Sequence, residues 1–153
     1  MAHVLFVCTG NTCRSPMAEA ILRSKNLPGV EVKSAGIYAA NGSDASLHTK
    51  QVLQEEGIHI DHRSSQLSAE LVNWSSHILV MTSSHKQAIL QQFSNAAGKT
   101  FTVKEYAQGQ INHDILDPFG GPLMVYKQTF LELNQEIEKI AEIITNDPQR
   151  NDE

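Results

Sequence analysis

The sequence predicts an α/β fold, a three-layer α/β/α arrangement in which a four-stranded parallel sheet is flanked by helices. Three observations carry the prediction. The run AHVLFV at residues 2–7 is apolar without alternation, as in a strand buried on both faces. Strand-like and helix-like segments then take turns along the chain, which favours right-handed β-α-β crossovers. The segment LMVYKQTFLELNQEIEKIAEIIT places Leu123, Val125, Tyr126, Phe130, Leu133, Ile137, Ile140, Ala141 and Ile144 largely at helical spacing, so the chain closes on a long helix.

The first strand, ending toward Cys8, is followed by a loop. Ser15 and Pro16 then read as an N-cap and a first helical residue, with MAEAILRSK continuing the helix. A second strand fits VEVKSAGIY at 30–38, and Asp44 or Ser46 can cap a helix through SLHTKQVLQEEG that Gly57 ends. Residues 67–74 read as a short helical turn. HILVMT at 77–82 is a third strand, SSHKQAILQQF a helix, and KTFTVKEY contains a fourth strand. The charges of the closing helix are expected on a solvated face. Trp74 and Phe93 are read as core or pocket-wall residues.

One domain spanning 1–153 is the simplest reading, with a tail at 147–153 that looks loose. A chain of this length buries roughly 68–70% of its unfolded surface, enough for a core. No apolar run approaches the ~18 residues of a membrane span. The N-terminus lacks the basic and apolar regions of a signal peptide, so the expected location is cytoplasmic. A net charge of −5 argues against nucleic acid as a partner. Cys8 and Cys13 are the only cysteines, which excludes a disulfide scaffold, and the seven histidines show no zinc-ligand spacing. Catalytic or redox thiols remain.

CTGNTCRS, residues 8–15, occupies the place where open parallel sheets bind ligands, beyond a strand's carboxyl end and before a helix. A tight loop there can aim Cys8, Arg14 and several backbone amides at one tetrahedral oxyanion. Thiolate sulfur is the nucleophilic form, and amide dipoles with a guanidinium favour anions. The arginine fork pairs bidentately with phosphate oxygens, which the point charge of lysine does less well. Gly10 permits close backbone approach and Asn11 tolerates left-handed dihedrals. Taken alone, Cys8 also fits a small buried hydrophobe, and DPFGG at 117–121 a mere turn; it is their joint pattern that points to chemistry.

VLFVCTGNTCRSPMAEAIL resembles the opening of the low-molecular-weight protein-tyrosine-phosphatase family, whose pattern is C-x5-R-S near the N-terminus. The likeness extends through SAG at 34–36 to LDPFGG, where Asp117, Pro118 and Phe119 match the family's late Asp-Pro-aromatic segment. It implies a phosphate-binding loop after the first strand and a cysteine-dependent phosphatase of phosphorylated proteins that releases inorganic phosphate. By this resemblance Cys8 is the nucleophile, Arg14 stabilises the equatorial oxygens, and Asp117 is general acid and then base. The same resemblance assigns Thr9, Gly10, Asn11, Thr12, Cys13, Ser15 and Phe119 to the substrate site, with Asn11 shaping the loop and Ser15 donating a hydrogen bond to the thiolate as well as capping the helix. Cys13 is a resolving thiol for oxidised Cys8. No metal or other cofactor is implied.

Thr12 stands where tyrosine-specific members commonly carry a bulky aliphatic residue, and Thr12, DPFGG and MTxxHK together are similar to the bacterial protein-arginine-phosphatase branch. Phosphoarginine in proteins is therefore the preferred substrate, with phosphotyrosine as the alternative. Arsenate reduction on this fold uses further cysteines, which this chain lacks. A non-catalytic oxyanion-binding module is disfavoured by the intact Cys8, Arg14 and Asp117.

Overall fold

A computed structural model describes residues 1–109 and 113–147. Four strands, β1 (Ala2–Cys8), β2 (Val30–Gly36), β3 (His77–Val80) and β4 (Thr100–Thr102), form one parallel sheet in the order β2-β1-β3-β4. Among the described residues six α-helices surround it: α1 (Arg14–Ser24), α2 (Leu47–Glu55), α3 (Ala69–Trp74), α4 (Ser83–Gln92), α5 (Val103–Gln108) and α6 (Leu123–Thr145).

The apolar run of β1 is explained by two cores. Val4 and Phe6 pack with Met17, Ile21, Leu133, Ile137 and Ile140 beneath α1 and α6, while Leu5 and Val7 pack with Val72, Ile78, Val80 and Ile89 beneath α3 and α4. Burying such side chains contributes about 1.5–3 kcal/mol each before conformational entropy is subtracted. With β2 on one side and β3 on the other, β1 is interior to the sheet, and its carboxyl end meets the loops of both neighbours.

Several boundaries differ from expectation. Helix α1 starts at Arg14, with Cys13 as its cap residue and no side-chain cap bond, so Ser15 is not the N-cap and Pro16 is the third helical residue. Proline is tolerated there because N–H groups of the first turn lack helical partners anyway. Strand β2 stops at Gly36 rather than Tyr38, because residues 37 and 38 enter a turn whose N–H groups donate to the Cys8 and Thr9 carbonyls. Strand β3 stops at Val80, which frees Thr82 to cap α4 by accepting from the His85 N–H at 3.1 Å. Ser46, not Asp44, caps α2.

Helix α5 is absent from the sequence reading. It follows β4 directly and opens with a capping box between Thr102 and Glu105, a T-x-x-E signal that six residues of helix are too short to reinforce with a period. On α6 the charged face is not wholly solvated: Glu136 is buried and accepts from the Gln108 side chain. Trp74 is partly buried, stacked on the His3 ring and covered by Lys33 Nζ at 4.5 Å, and Phe93 packs against the second core, so both are walls rather than a ligand cage. Among the described residues no helix is long and apolar enough to cross a membrane. The tail expected to be loose lies, beyond Asp147, outside the described residues.

Candidate active site

The loop after β1 is shaped by Asn11, which is fully buried and has φ of 58°, the left-handed conformation that the sequence suggested. Its side-chain Nδ2 donates to Ser15 Oγ at 2.8 Å and Ser34 Oγ at 3.0 Å, and its Oδ1 accepts from the Ser65 N–H at 2.9 Å. Its carbonyl accepts from His62 Nε2 at 2.7 Å. With each of these polar atoms engaged, the strained dihedral is over-determined by its surroundings. Gly36 closes the same corner. A Cβ at this position would stand 2.4 Å from the Thr9 carbonyl oxygen and 3.0 Å from the Asn11 nitrogen, so only glycine lets β2 pass under the loop.

Cys8 Sγ lies 2.8 Å from Ser15 Oγ, and both residues are buried. Since that oxygen already accepts from Asn11, its own proton is available to the sulfur; the alternative acceptor, the Ala35 carbonyl, is 3.4 Å away. Arg14 is equally buried. Its Nη1 donates to the Ile115 carbonyl at 2.7 Å, and its Nη2 is 3.8 Å from Asp117 Oδ2. The Asp117 carboxylate is half exposed and accepts from the Phe119 N–H at 3.0 Å, in a turn closed by the Gly121 N–H on the Pro118 carbonyl.

These groups meet at a cavity of about 230 Å³ lined by Cys8, Thr9, Gly10, Thr12, Cys13, Arg14, Asp117 and Phe119. The opening turn of α1 stands beside it, and the N–H groups of a first turn have no intrahelical partner. A thiol, a guanidinium and a carboxyl around such a space can hold a tetrahedral anion, attack its centre and transfer a proton to the departing group. Asn11 and Ser15, expected among the substrate contacts, do not line the cavity; they lie beneath the loop and hold its shape. Phe119 presents an exposed ring at the mouth.

Cys13 is buried against hydroxyls, with Ser46 Oγ and Tyr126 Oη each 3.6 Å from its sulfur. Burial first, and then the contact with Cys13, push the Tyr126 phenol up to about 12. Among the described residues no cluster of histidine, cysteine, aspartate or glutamate could hold a metal ion.

Two histidines at the site make contacts that the sequence did not disclose, although His85 is the histidine of the MTxxHK segment. His62 clamps the Asn11 carbonyl, and its Nδ1 faces Glu19 Oε1 at 3.9 Å. His85 is buried with Nε2 2.9 Å from Thr9 Oγ1; burial, with Arg14 as the second cause, pushes it down to about 4. Neither follows a ligand spacing, and their partners lie far away along the chain.

Residues 3–150 match the low molecular weight phosphotyrosine protein phosphatase family. A protein-arginine-phosphatase of Geobacillus stearothermophilus is 57% identical over 92% of this chain and 94% of its own. The solved structure of the YwlE arginine phosphatase from Geobacillus stearothermophilus superposes with a TM-score of 0.92 at 55% identity, covering 94% of this chain and 93% of that one. A second structure of YwlE arginine phosphatase, a cysteine-to-serine mutant with a phosphorylated active-site serine, superposes with a TM-score of 0.93 at 42% identity over 97% and 99% of the two chains.

Proposed function

Since the chain belongs to the low molecular weight phosphotyrosine protein phosphatase family, we propose that it is a cysteine-dependent protein phosphatase that removes phosphate from arginine side chains of cytoplasmic proteins. The observation that carries the arginine assignment is the 57% identity, over nearly the whole of both chains, to a protein-arginine-phosphatase. Thr12, small and polar, stands on the wall of the cavity and leaves room for a planar phosphoguanidinium.

In this reading Cys8 Sγ attacks phosphorus and the phosphorus–nitrogen bond breaks, while the Asp117 carboxyl gives its proton to the departing guanidine. The phosphocysteine so formed is attacked by a water molecule that passes a proton to Asp117. The sulfur–phosphorus bond then breaks and inorganic phosphate leaves. Arg14 and the loop amides stabilise the equatorial oxygens in both steps. Ser15 Oγ donates to the leaving thiolate sulfur. The donor set lets all of this proceed with side chains and water alone.

Cys13 serves here as the resolving thiol, capturing an oxidised Cys8 as a disulfide before irreversible over-oxidation. Residues 1–153 act as one domain, with phosphorylated proteins as partners. A paired assay tests the reading. Phosphate release is measured from one protein carrying phosphoarginine and one carrying phosphotyrosine, with wild type and Cys8→Ser. Preference for phosphoarginine, lost in Cys8→Ser with phosphate binding intact, is the expected result. Preference for phosphotyrosine would overturn the arginine assignment, and full activity in Cys8→Ser would overturn the covalent route.

A further inference from the structure

Thr9 follows the proposed nucleophile directly and lines the cavity, yet no step above uses its hydroxyl. What that hydroxyl can do depends on His85. The two residues are brought together by the sheet: Thr9 leaves the end of β1, while His85 sits in the first turn of α4, just beyond β3, which is the parallel neighbour of β1. The Met81 N–H donates to the Val7 carbonyl at 3.1 Å, and the Thr82 hydroxyl caps the His85 N–H, so the histidine backbone is tied to the strand that carries the thiol. The Thr9 backbone is fixed as well, its carbonyl accepting from the Tyr38 N–H at 2.9 Å.

The tautomer follows from satisfaction of polar groups. Nδ1 of His85 is buried and without a hydrogen-bond partner among the described residues. An orphaned buried N–H is rarer and costlier than a buried ring nitrogen with an idle lone pair. The single proton of the uncharged ring therefore sits on Nε2, and the 2.9 Å contact is a bond donated by His85 to Thr9 Oγ1. Burial, and Arg14 after it, keep the ring uncharged at neutral pH. A hydroxyl whose lone pair is occupied in this way must send its own proton elsewhere.

We infer that His85 is a positioning residue that acts through Thr9: by donating to Thr9 Oγ1 it turns the hydroxyl proton into the cavity, where Thr9 donates to a phosphoryl oxygen. The inference rests on the phosphatase reading of the same cavity. Thr9 then touches substrate, whereas His85 does not.

A double-mutant cycle tests it, with wild type, Thr9→Val, His85→Leu, the double variant and His85→Gln, whose amide N–H can take the place of Nε2–H. The readouts are kcat/KM on phosphoarginine and aryl phosphate substrates and the Kd of inorganic phosphate. Thermal unfolding confirms that each variant is folded. A hydrogen bond to a charged group is worth roughly a factor of ten or more, so each of the first two substitutions should weaken kcat/KM and phosphate binding about tenfold. The double variant should fall within about threefold of Thr9→Val, and His85→Gln within about threefold of wild type. Single losses that multiply in the double variant, a His85→Gln as weak as His85→Leu, or single variants equal to wild type would each overturn the inference. Should His85→Leu not fold, His85→Asn, whose shorter amide falls short of Thr9, takes its place. If wild type hydrolyses neither substrate, the phosphatase reading fails by itself, and the phosphate Kd cycle still decides whether His85 acts through Thr9.

Discussion

Arg14 and Asp117 meet at 3.8 Å across the cavity with very unequal exposure, the guanidinium 5% and the carboxylate 51% accessible. The pair is held together by the main chain rather than by its own attraction: Arg14 also binds the carbonyl of Ile115, two residues before the acid. An ion pair with one half-exposed partner contributes about 0–1 kcal/mol, so its role is alignment.

Asp117→Asn should consequently leave the fold nearly unchanged and remove the proton transfer. A loss of roughly 10²–10⁴ in kcat is expected for a leaving group that must be protonated. An aryl phosphate with a good leaving group should suffer less. Steady-state kinetics on both substrates, beside thermal unfolding, checks this; equal losses on the two would remove Asp117 from the acid role.

Thr12→Ile replaces a polar wall residue by a bulky aliphatic one at the cavity. We expect kcat/KM on phosphoarginine to fall at least tenfold relative to phosphotyrosine, a shift of about 1.4 kcal/mol in relative transition-state binding. An unchanged ratio would refute selection by Thr12.

Gly36→Ala forces a Cβ to within 2.4 Å of the Thr9 carbonyl oxygen. Overpacking of this kind costs typically about 1–3 kcal/mol, and the atom that must give way belongs to the loop. Lower unfolding stability should therefore come with weaker binding of inorganic phosphate. A stable variant with wild-type phosphate affinity would show that the loop tolerates the shift.

His85 predicts a pH dependence. It titrates at about 4 in the folded chain, against an ordinary 6.5, chiefly because of burial and secondly Arg14, with Asp114 and Asp117 opposing. Between those values the unfolded chain binds the extra proton, so this stability is complete above about pH 6.5 and lost as pH falls toward 4. Urea unfolding should show wild type losing on the order of 1–2 kcal/mol more than His85→Gln from pH 7 to 4.5, after allowance for solvent screening. Parallel curves for the two proteins would contradict it.

The fold and the loop were legible because both are written locally. An apolar run with polar neighbours, a Cys-to-Arg spacing and a glycine-rich acid segment need only adjacent residues to be read. As a helix cap, Ser15 misled for the same reason: Ser-Pro before an apolar period is a helix-start signal, yet the hydroxyl is taken by Asn11 and by Cys8, the second of which the family resemblance implied. The contacts of His62 and His85 were illegible because their partners are 51 and 76 residues away along the chain, although His85 itself stood out in the MTxxHK segment. Helix α5 escaped because a six-residue element carries less than two turns of pattern.

The hydrogen-bond partners of Asn11, from Ser15 to Ser65, all lie in the first 65 residues, whereas the carboxylate comes at position 117. The order of residues thus sets an order of arrival during synthesis. A growing chain carries the four residues that hold Asn11 long before it carries the carboxylate at position 117, so the curve of the thiol loop and the acid that faces it are specified by separate halves of the chain.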